Sequence, residues 1–181
     1  ISTDMSFVIE QALFLSKKTN GVFDITIAPE LITNNLLPDH GFAFSPTGTW
    51  EDIMLSNGQI RFKQPVLLDL GGIAKGYAVD CAVNIVDEKI DITVNAGGDL
   101  RMRPWHDKGV SIRHPESPQS AFIETLMENC ASATSAGYYS NLGSTIISRD
   151  SQASLTRPNN KSVTVFAESC LTADALTKVA Y

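Results

Sequence analysis

The chain has 181 residues, and 14 Lys plus Arg against 20 Asp plus Glu give a formal charge of −6. At roughly 100–200 residues per domain this predicts one domain, or one and a fraction, and a hydrophobic share of 43% excludes a disordered or low-complexity chain. A pI near 5.0 excludes a nucleic-acid binder that works through a general basic field, and no apolar run approaches the roughly 18–20 residues of a membrane helix.

Both ends read as cuts, with Ile1 entering a helix almost at once and Tyr181 falling in the middle of another. Residues 4–17 predict an amphipathic helix on the spacing of Met5, Val8, Ile9, Ala12 and Leu13, with Thr3 as N-cap and Gly21 as the stop. The stripe Phe7, Leu13, Leu15 reads as core packing. Residues 28–50, with Pro29, Pro38, Pro46, Gly41 and Gly48, read as mostly irregular connection. Ile53 and Leu55 alternate into Asn57-Gly58, and Ile60 and Phe62 alternate out, which predicts a hairpin.

Val66 to Leu70 reads as a strand ending in Gly71-Gly72. The helix expected from Ile73 to Val86 has Ala74, Tyr77, Ala78, Cys81, Ala82 and Ile85 on its inner face, with Cys81 a buried inert thiol. Asp91 to Asn95 reads as a strand ending in a glycine turn. Further strands fit 110–113, 121–127, 144–148 and 162–167, and a last helix starts near Leu171 or Thr172. Hairpins and helices without strict βαβ alternation predict an α+β fold. Cys81, Cys130 and Cys170 form no CxxC, and His40, His106 and His114 are not spaced as a metal pair.

Four segments could carry chemistry. In 68–76 a strand runs into Gly71 and Gly72, and a helix opens with Lys75 in its first turn. Glycines admit a phosphate to the backbone, helix-start N–H groups point at it, and the lysine adds charge. The segment is neither a Walker A loop nor a GxGxxG fingerprint; a tight turn with a solvated lysine fits it equally, and Asp69 could be a ligand contact or a cap. Asn95, Ala96, Gly97, Gly98 and Asp99 repeat the paired-glycine theme, either as a second wall of one cleft or as a plain turn. Thr134 and Ser135 lie in a stretch of small hydroxyl residues followed by Tyr138 and Tyr139, which reads as a loop. Asp174 sits in the first turn of the last helix, where the helix dipole favours an acid and a carboxylate could hold a hard cation.

Taken together and in this order, the segments Thr19 to Asp24, LDLGGIAKGYAVD at 68–80, VNAGGDL at 94–100, ATSAGYYS at 133–140 and SCLTADALTKVA at 169–180 resemble the ApbE family of FAD-dependent flavin transferases. The resemblance covers essentially the whole chain. It implies one ApbE-type domain over 1–181, lacking an N-terminal portion and a C-terminal strand. The implied architecture is a mixed, mostly antiparallel sheet with flanking helices and a ligand cleft.

The resemblance further implies FAD and Mg²⁺, and transfer of FMN from FAD onto a Thr or Ser hydroxyl of a partner protein. Alternatives within the same site are FAD hydrolysis to FMN and AMP, or flavin binding without transfer. Carried over by position, Asp174 and Lys75 are the catalytic groups. Gly71, Gly72, Ala74, Lys75 and the turn of Asn95, Ala96, Gly97 and Gly98 line the FAD site, and Thr134 and Ser135 approach the flavin nucleotide. The carbonyl of Ala74 and the carboxylate of Asp174 are the implied metal ligands. The family is commonly exported and lipid-anchored, which implies a periplasmic or cell-envelope location.

Two positions depart from the family pattern. The segment Ser144 to Asp150 lacks the family histidine. Lys178 stands where the family places a hydroxyl ligand four residues after the aspartate, with Thr177 one place early and its hydroxyl expected about 100° away. Lys178 is therefore expected to stand in part for the cation.

Overall fold

The structure is a computed structural model; it describes residues 1–117, 119–136 and 162–181. The described residues form two compact units, one of Ile1–Gly72 and one of the described residues between 73 and 136 and between 162 and 181. The expected strand at 144–148 and the tyrosines 138 and 139 lie outside the described residues.

The first unit begins with α1, Thr3–Lys18, which buries Val8, Ile9, Ala12 and Ser16. Its N-cap is Ser2, not Thr3: the Ser2 hydroxyl accepts the N–H of Met5 at 3.1 Å. Phe7 is 43% exposed and so is not core, because Val8, Ile9 and Ala12 define a different stripe on the helix. Residues 34–49 are irregular as expected, and the regular part of 28–50 is chiefly α2, Ala28–Thr33, a short helix with a proline in its first turn. The hairpin falls where expected. β1, Ile53–Ser56, pairs with β2, Gln59–Phe62, through Asn57 and Gly58, both at positive φ as a type I′ turn requires. No strand forms at 66–70; that segment is held by the Asp69 N–H, which donates to the carbonyl of Ile25 at 2.8 Å.

The second unit carries α3, Ala74–Ile85, then β3, Ile92–Ala96, and β4, Asp99–Arg103. A separate hairpin follows, β5, Gly109–Arg113, with β6, Ala121–Leu126. The chain continues with β7, Ala131–Ala136, then β8, Ser162–Ala167, and α4, Cys170–Ala180. The main sheet has the order β3-β4-β7-β8, antiparallel at every step. This is the α+β architecture expected.

Both helices pack on one face of this sheet. Alternation along each strand puts Asp99, Arg101 and Arg103 of β4 on that face, opposite Ala96, Val94 and Ile92 of β3. Ala131, Ala133 and Ser135 of β7 lie on it too. A core of Val79, Ala131 and Cys170, with Val94 and Cys130 against it, fills the space between.

The helix face of α3 differs from the one its apolar residues suggest. Gly76, Val79, Asp80 and Val83 are buried, whereas Ile85 is 84% exposed and Cys81 only half-buried. The reason is polar. Asp80 points inward, its Oδ1 accepting the N–H of Cys170 and its Oδ2 that of Leu171, both at 2.9 Å, while Arg101 Nη1 donates to Oδ1 at 2.7 Å. The first turn of α4 thus receives acceptors from Asp80 and from Ser169, whose hydroxyl accepts the Thr172 N–H at 3.1 Å. At Gly76 the two helices meet without a side chain between them: a Cβ there would fall on the carbonyl of Cys170 and lie 2.7 Å from the nitrogen of Leu171.

Candidate functional site

The packing of α3, α4, β4 and β7 gathers two carboxylates, two ammonium groups and two hydroxyls within the second unit. Lys75, in the first turn of α3, donates to both oxygens of Asp174 at 3.0 and 2.8 Å and lies 3.3 Å from Oδ2 of Asp99. Asp174 is buried on α4 and also accepts the N–H of Gly76 at 3.3 Å. Asp99 stands at the start of β4, just past the turn of Gly97 and Gly98, whose φ values of 68° and 104° define a second type I′ turn. Side chains at either glycine would strain this turn. Asn95 braces it, its Oδ1 accepting the Gly98 N–H at 3.1 Å.

Lys178 sits one helical turn beyond Asp174, on the same side of α4. Its Nζ donates to Asp174 Oδ1 at 2.8 Å, Ser135 Oγ at 2.7 Å and Thr177 Oγ1 at 2.9 Å, with the Asp174 carbonyl at 3.3 Å. Thr177 corrects the expectation drawn from helical spacing. Its hydroxyl turns back along the helix to donate to the Asp174 carbonyl at 2.6 Å and lies 2.6 Å from Ser135 Oγ, so it joins the cluster.

Charge and burial set the electrostatics. Burial opposes the charged form of Lys75, but the neighbouring carboxylates, first Asp174 and then Asp99, outweigh it, and its pKa is raised. Burial raises the pKa of Asp99, and the nearby charge of Asp174 adds to this, against the pull of Lys75 and Lys178. The buried Oδ2 of Asp99 meets Lys75 Nζ at 3.3 Å as an ion pair. Burial also pushes the Cys170 thiol well up, which makes it inert as a nucleophile.

The candidate residues divide accordingly. Lys75, Asp174, Ser135, Thr177 and Lys178 come together, and the Asn95 to Gly98 turn leads into Asp99 beside them. Ala74 opens α3 directly before Lys75. Thr134 projects from the opposite face of β7, its hydroxyl 2.9 Å from that of Thr164. Gly71 and Gly72 belong to the first unit, and neither has a positive φ. The stretch 133–136 is strand and not loop, because Ala131 to Ala136 pair residue by residue with β8. Asp80 and Arg101 are polar residues of this region to which the sequence analysis gave no role; the signal for Asp80 is a lone acid beside Val79 and one turn before Val83.

As they stand, these residues do not fit a divalent cation. Both oxygens of Asp174 are engaged by ammonium groups, and the remaining oxygens of the cluster surround Lys178 Nζ. A divalent ion about 3 Å from an ammonium would meet a repulsion of about 11 kcal/mol at an effective dielectric constant of about 20. Among the described residues no group of three or more His, Cys, Asp and Glu forms a metal-holding set.

An antiparallel sheet backed by two helices, with a half-exposed lysine at a helix start braced by buried carboxylates, defines an α+β protein. The chain belongs to the ApbE family, whose model matches residues 1–181. It is 28% identical to an FAD:protein FMN transferase of Vibrio cholerae serotype O1 over 199 aligned positions, covering 97% of this chain and 60% of that protein. A Salmonella typhimurium protein of the same name is 25% identical, with coverages of 96% and 57%. The fold matches the crystal structure of the ApbE protein of Thermotoga maritima with a TM-score of 0.75 at 25% identity, over 99% of this chain and 65% of that one. The flavin transferase ApbE of Vibrio cholerae matches with a TM-score of 0.71 at 24% identity, over 99% and 62%. The chain therefore spans about 60% of the length of the curated relatives it matches.

Proposed function

We propose that this chain forms the dinucleotide-handling part of an FAD:protein FMN transferase, a reading supported by the names of its relatives. The observation that carries it is the placement of Lys75. Its side chain is 53% exposed, yet its ammonium is held by Asp174 and Asp99 at the start of a helix. Such a group is fixed in position, and a polyanion that reaches the exposed half of its side chain would exchange with these carboxylate contacts. Phosphoryl transfer depends chiefly on positioning and on neutralising charge, and a preset ammonium supplies both.

In this reaction a Thr or Ser hydroxyl of the partner protein attacks the phosphorus of the FMN moiety. The bond between the two phosphates of FAD breaks, AMP leaves, and the hydroxyl proton passes to the leaving group or to solvent. Lys75 would bind and orient the diphosphate, and Asp174 would hold Lys75. The magnesium that the resemblance implies would have to displace Lys178 from its oxygen partners. A periplasmic or envelope location with a lipid anchor is part of the same proposal. Reading the complete precursor tests it, since a start without an apolar leader and lipidated cysteine would contradict it.

Incubating the full-length protein with FAD and a candidate target protein, followed by mass spectrometry and nucleotide analysis, tests the activity. Covalent FMN on the target supports transfer. Free FMN and AMP with an unmodified target would make the protein an FAD pyrophosphatase instead. FAD bound but unchanged would make it a flavin-binding protein.

A further inference from the structure

We infer that the Lys178 ammonium is a built-in cation, occupying an oxygen-lined cage between α4 and β7, so that this site binds its phosphate ligand without a divalent metal. The inference rests on the proposed FAD-binding role for its ligand but on the cage alone for its cation.

The composition of the cage carries the argument. Around Lys178 Nζ stand a carboxylate oxygen of Asp174 at 2.8 Å, the hydroxyls of Ser135 at 2.7 Å and Thr177 at 2.9 Å, and the Asp174 carbonyl at 3.3 Å. A carboxylate, hydroxyls and a backbone carbonyl are the donors a hard cation takes. Here they meet an ammonium, whose three N–H groups match the three short contacts.

The hydroxyl protons are also accounted for. Ser135 accepts from Lys178 and can direct its own proton to Thr177, 2.6 Å away, while Thr177 gives its proton to the Asp174 carbonyl at 2.6 Å. Such a closed network resists exchange of its centre for another ion, because each oxygen would lose a partner at once. The Lys178 side chain is only 23% exposed, against 53% for Lys75. Lys178 thus neutralises Asp174 from within, and Lys75 is the more exposed of the two ammonium groups.

The test uses the full-length protein, its Lys178→Thr variant, and a Lys178→Met variant that removes the charge without adding an oxygen donor. Mn²⁺ titration followed by electron paramagnetic resonance reads the cage without any flavin. FAD titration in EDTA and in Mg²⁺ reads its consequence. The wild type should show no tight Mn²⁺ site, and its FAD affinity should agree within about twofold between EDTA and Mg²⁺. Lys178→Thr should gain a Mn²⁺ site, and its FAD affinity should become about tenfold or more metal-dependent. Lys178→Met should weaken FAD binding with no rescue by metal.

A tight Mn²⁺ site in the wild type, or an FAD affinity that falls about tenfold in EDTA, would overturn the inference. Absence of a Mn²⁺ site from both wild type and Lys178→Thr would overturn it too, since the cage would then be no cation site. If neither protein binds FAD, the flavin reading fails while the Mn²⁺ titration still decides the cage.

Discussion

Asp80 holds the backbone of Cys170 from 90 residues away, its carboxylate accepting the Cys170 N–H at 2.9 Å from the middle of another helix. The same carboxylate accepts from Leu171 and from Arg101, so one buried side chain ties α3, the start of α4 and strand β4 together. Lys75 and Asp174 are carried by those two helices, and their contact depends on this joint. Asp80→Ala leaves Arg101 and two buried N–H groups without their partner. The expected cost is about 3–5 kcal/mol, read by urea denaturation. A loss below about 1 kcal/mol would show that the joint is not what fixes α4.

Gly76→Ala has two opposed terms. Alanine in a helix gains roughly 0.5–1 kcal/mol over glycine. Here the added methyl meets the Cys170 carbonyl, a backbone atom that cannot swing away. Overpacking costs typically about 1–3 kcal/mol, so the net change is destabilising. Denaturation midpoints of the two proteins check the sign: a stabilised variant would mean that the helices do not touch at this point.

Two groups of the cluster set a pH dependence. Lys75 has a raised pKa, so its contribution is complete below its ordinary value of 10.5 and is lost as the pH rises through its folded value. Asp99 is also raised, above 3.8, so the folded protein takes up its proton first. Its charged form costs stability, and that cost is relieved as the pH falls through its folded value toward 3.8. Asp99→Asn should therefore flatten the acid side of the stability profile, and Lys75→Met the alkaline side. Unfolding free energies measured across pH decide this, and profiles parallel to wild type in both variants would contradict it.

Much of this architecture is legible in the residues themselves. Asn57-Gly58 announces its hairpin because only a few residues tolerate positive φ at both turn positions. The last helix is legible from Leu171 onward for its apolar spacing. β4 is not, because its helix-facing positions are Asp99, Arg101 and Arg103, which reverses the usual rule of apolar inside and polar outside. Arg103 earns its inward place by donating to the carbonyls of Val86 at 2.9 Å and Asp87 at 2.7 Å, at the end of α3. The face of α3 is misread for the same cause, since Asp80 is buried by its hydrogen bonds. At the site, Asp174 and Lys75 are found by motif, but the Ser135–Thr177–Lys178 cage is a tertiary object. Its members lie up to 43 residues apart, and nothing in either segment alone encodes their meeting.

Calorimetric titration of the full-length protein with FAD and with riboflavin tests the central claim most directly, because the two ligands share the ring system and differ in the diphosphate and adenosine. If Lys75 and its carboxylate braces form a phosphate site, FAD binds at least about tenfold more tightly than riboflavin. Lys75→Ala should then weaken FAD binding by about 1–3 kcal/mol and leave riboflavin binding unchanged, as for loss of a charge-assisted hydrogen bond. Equal affinities for the two ligands, or an FAD affinity indifferent to Lys75→Ala, would contradict the account.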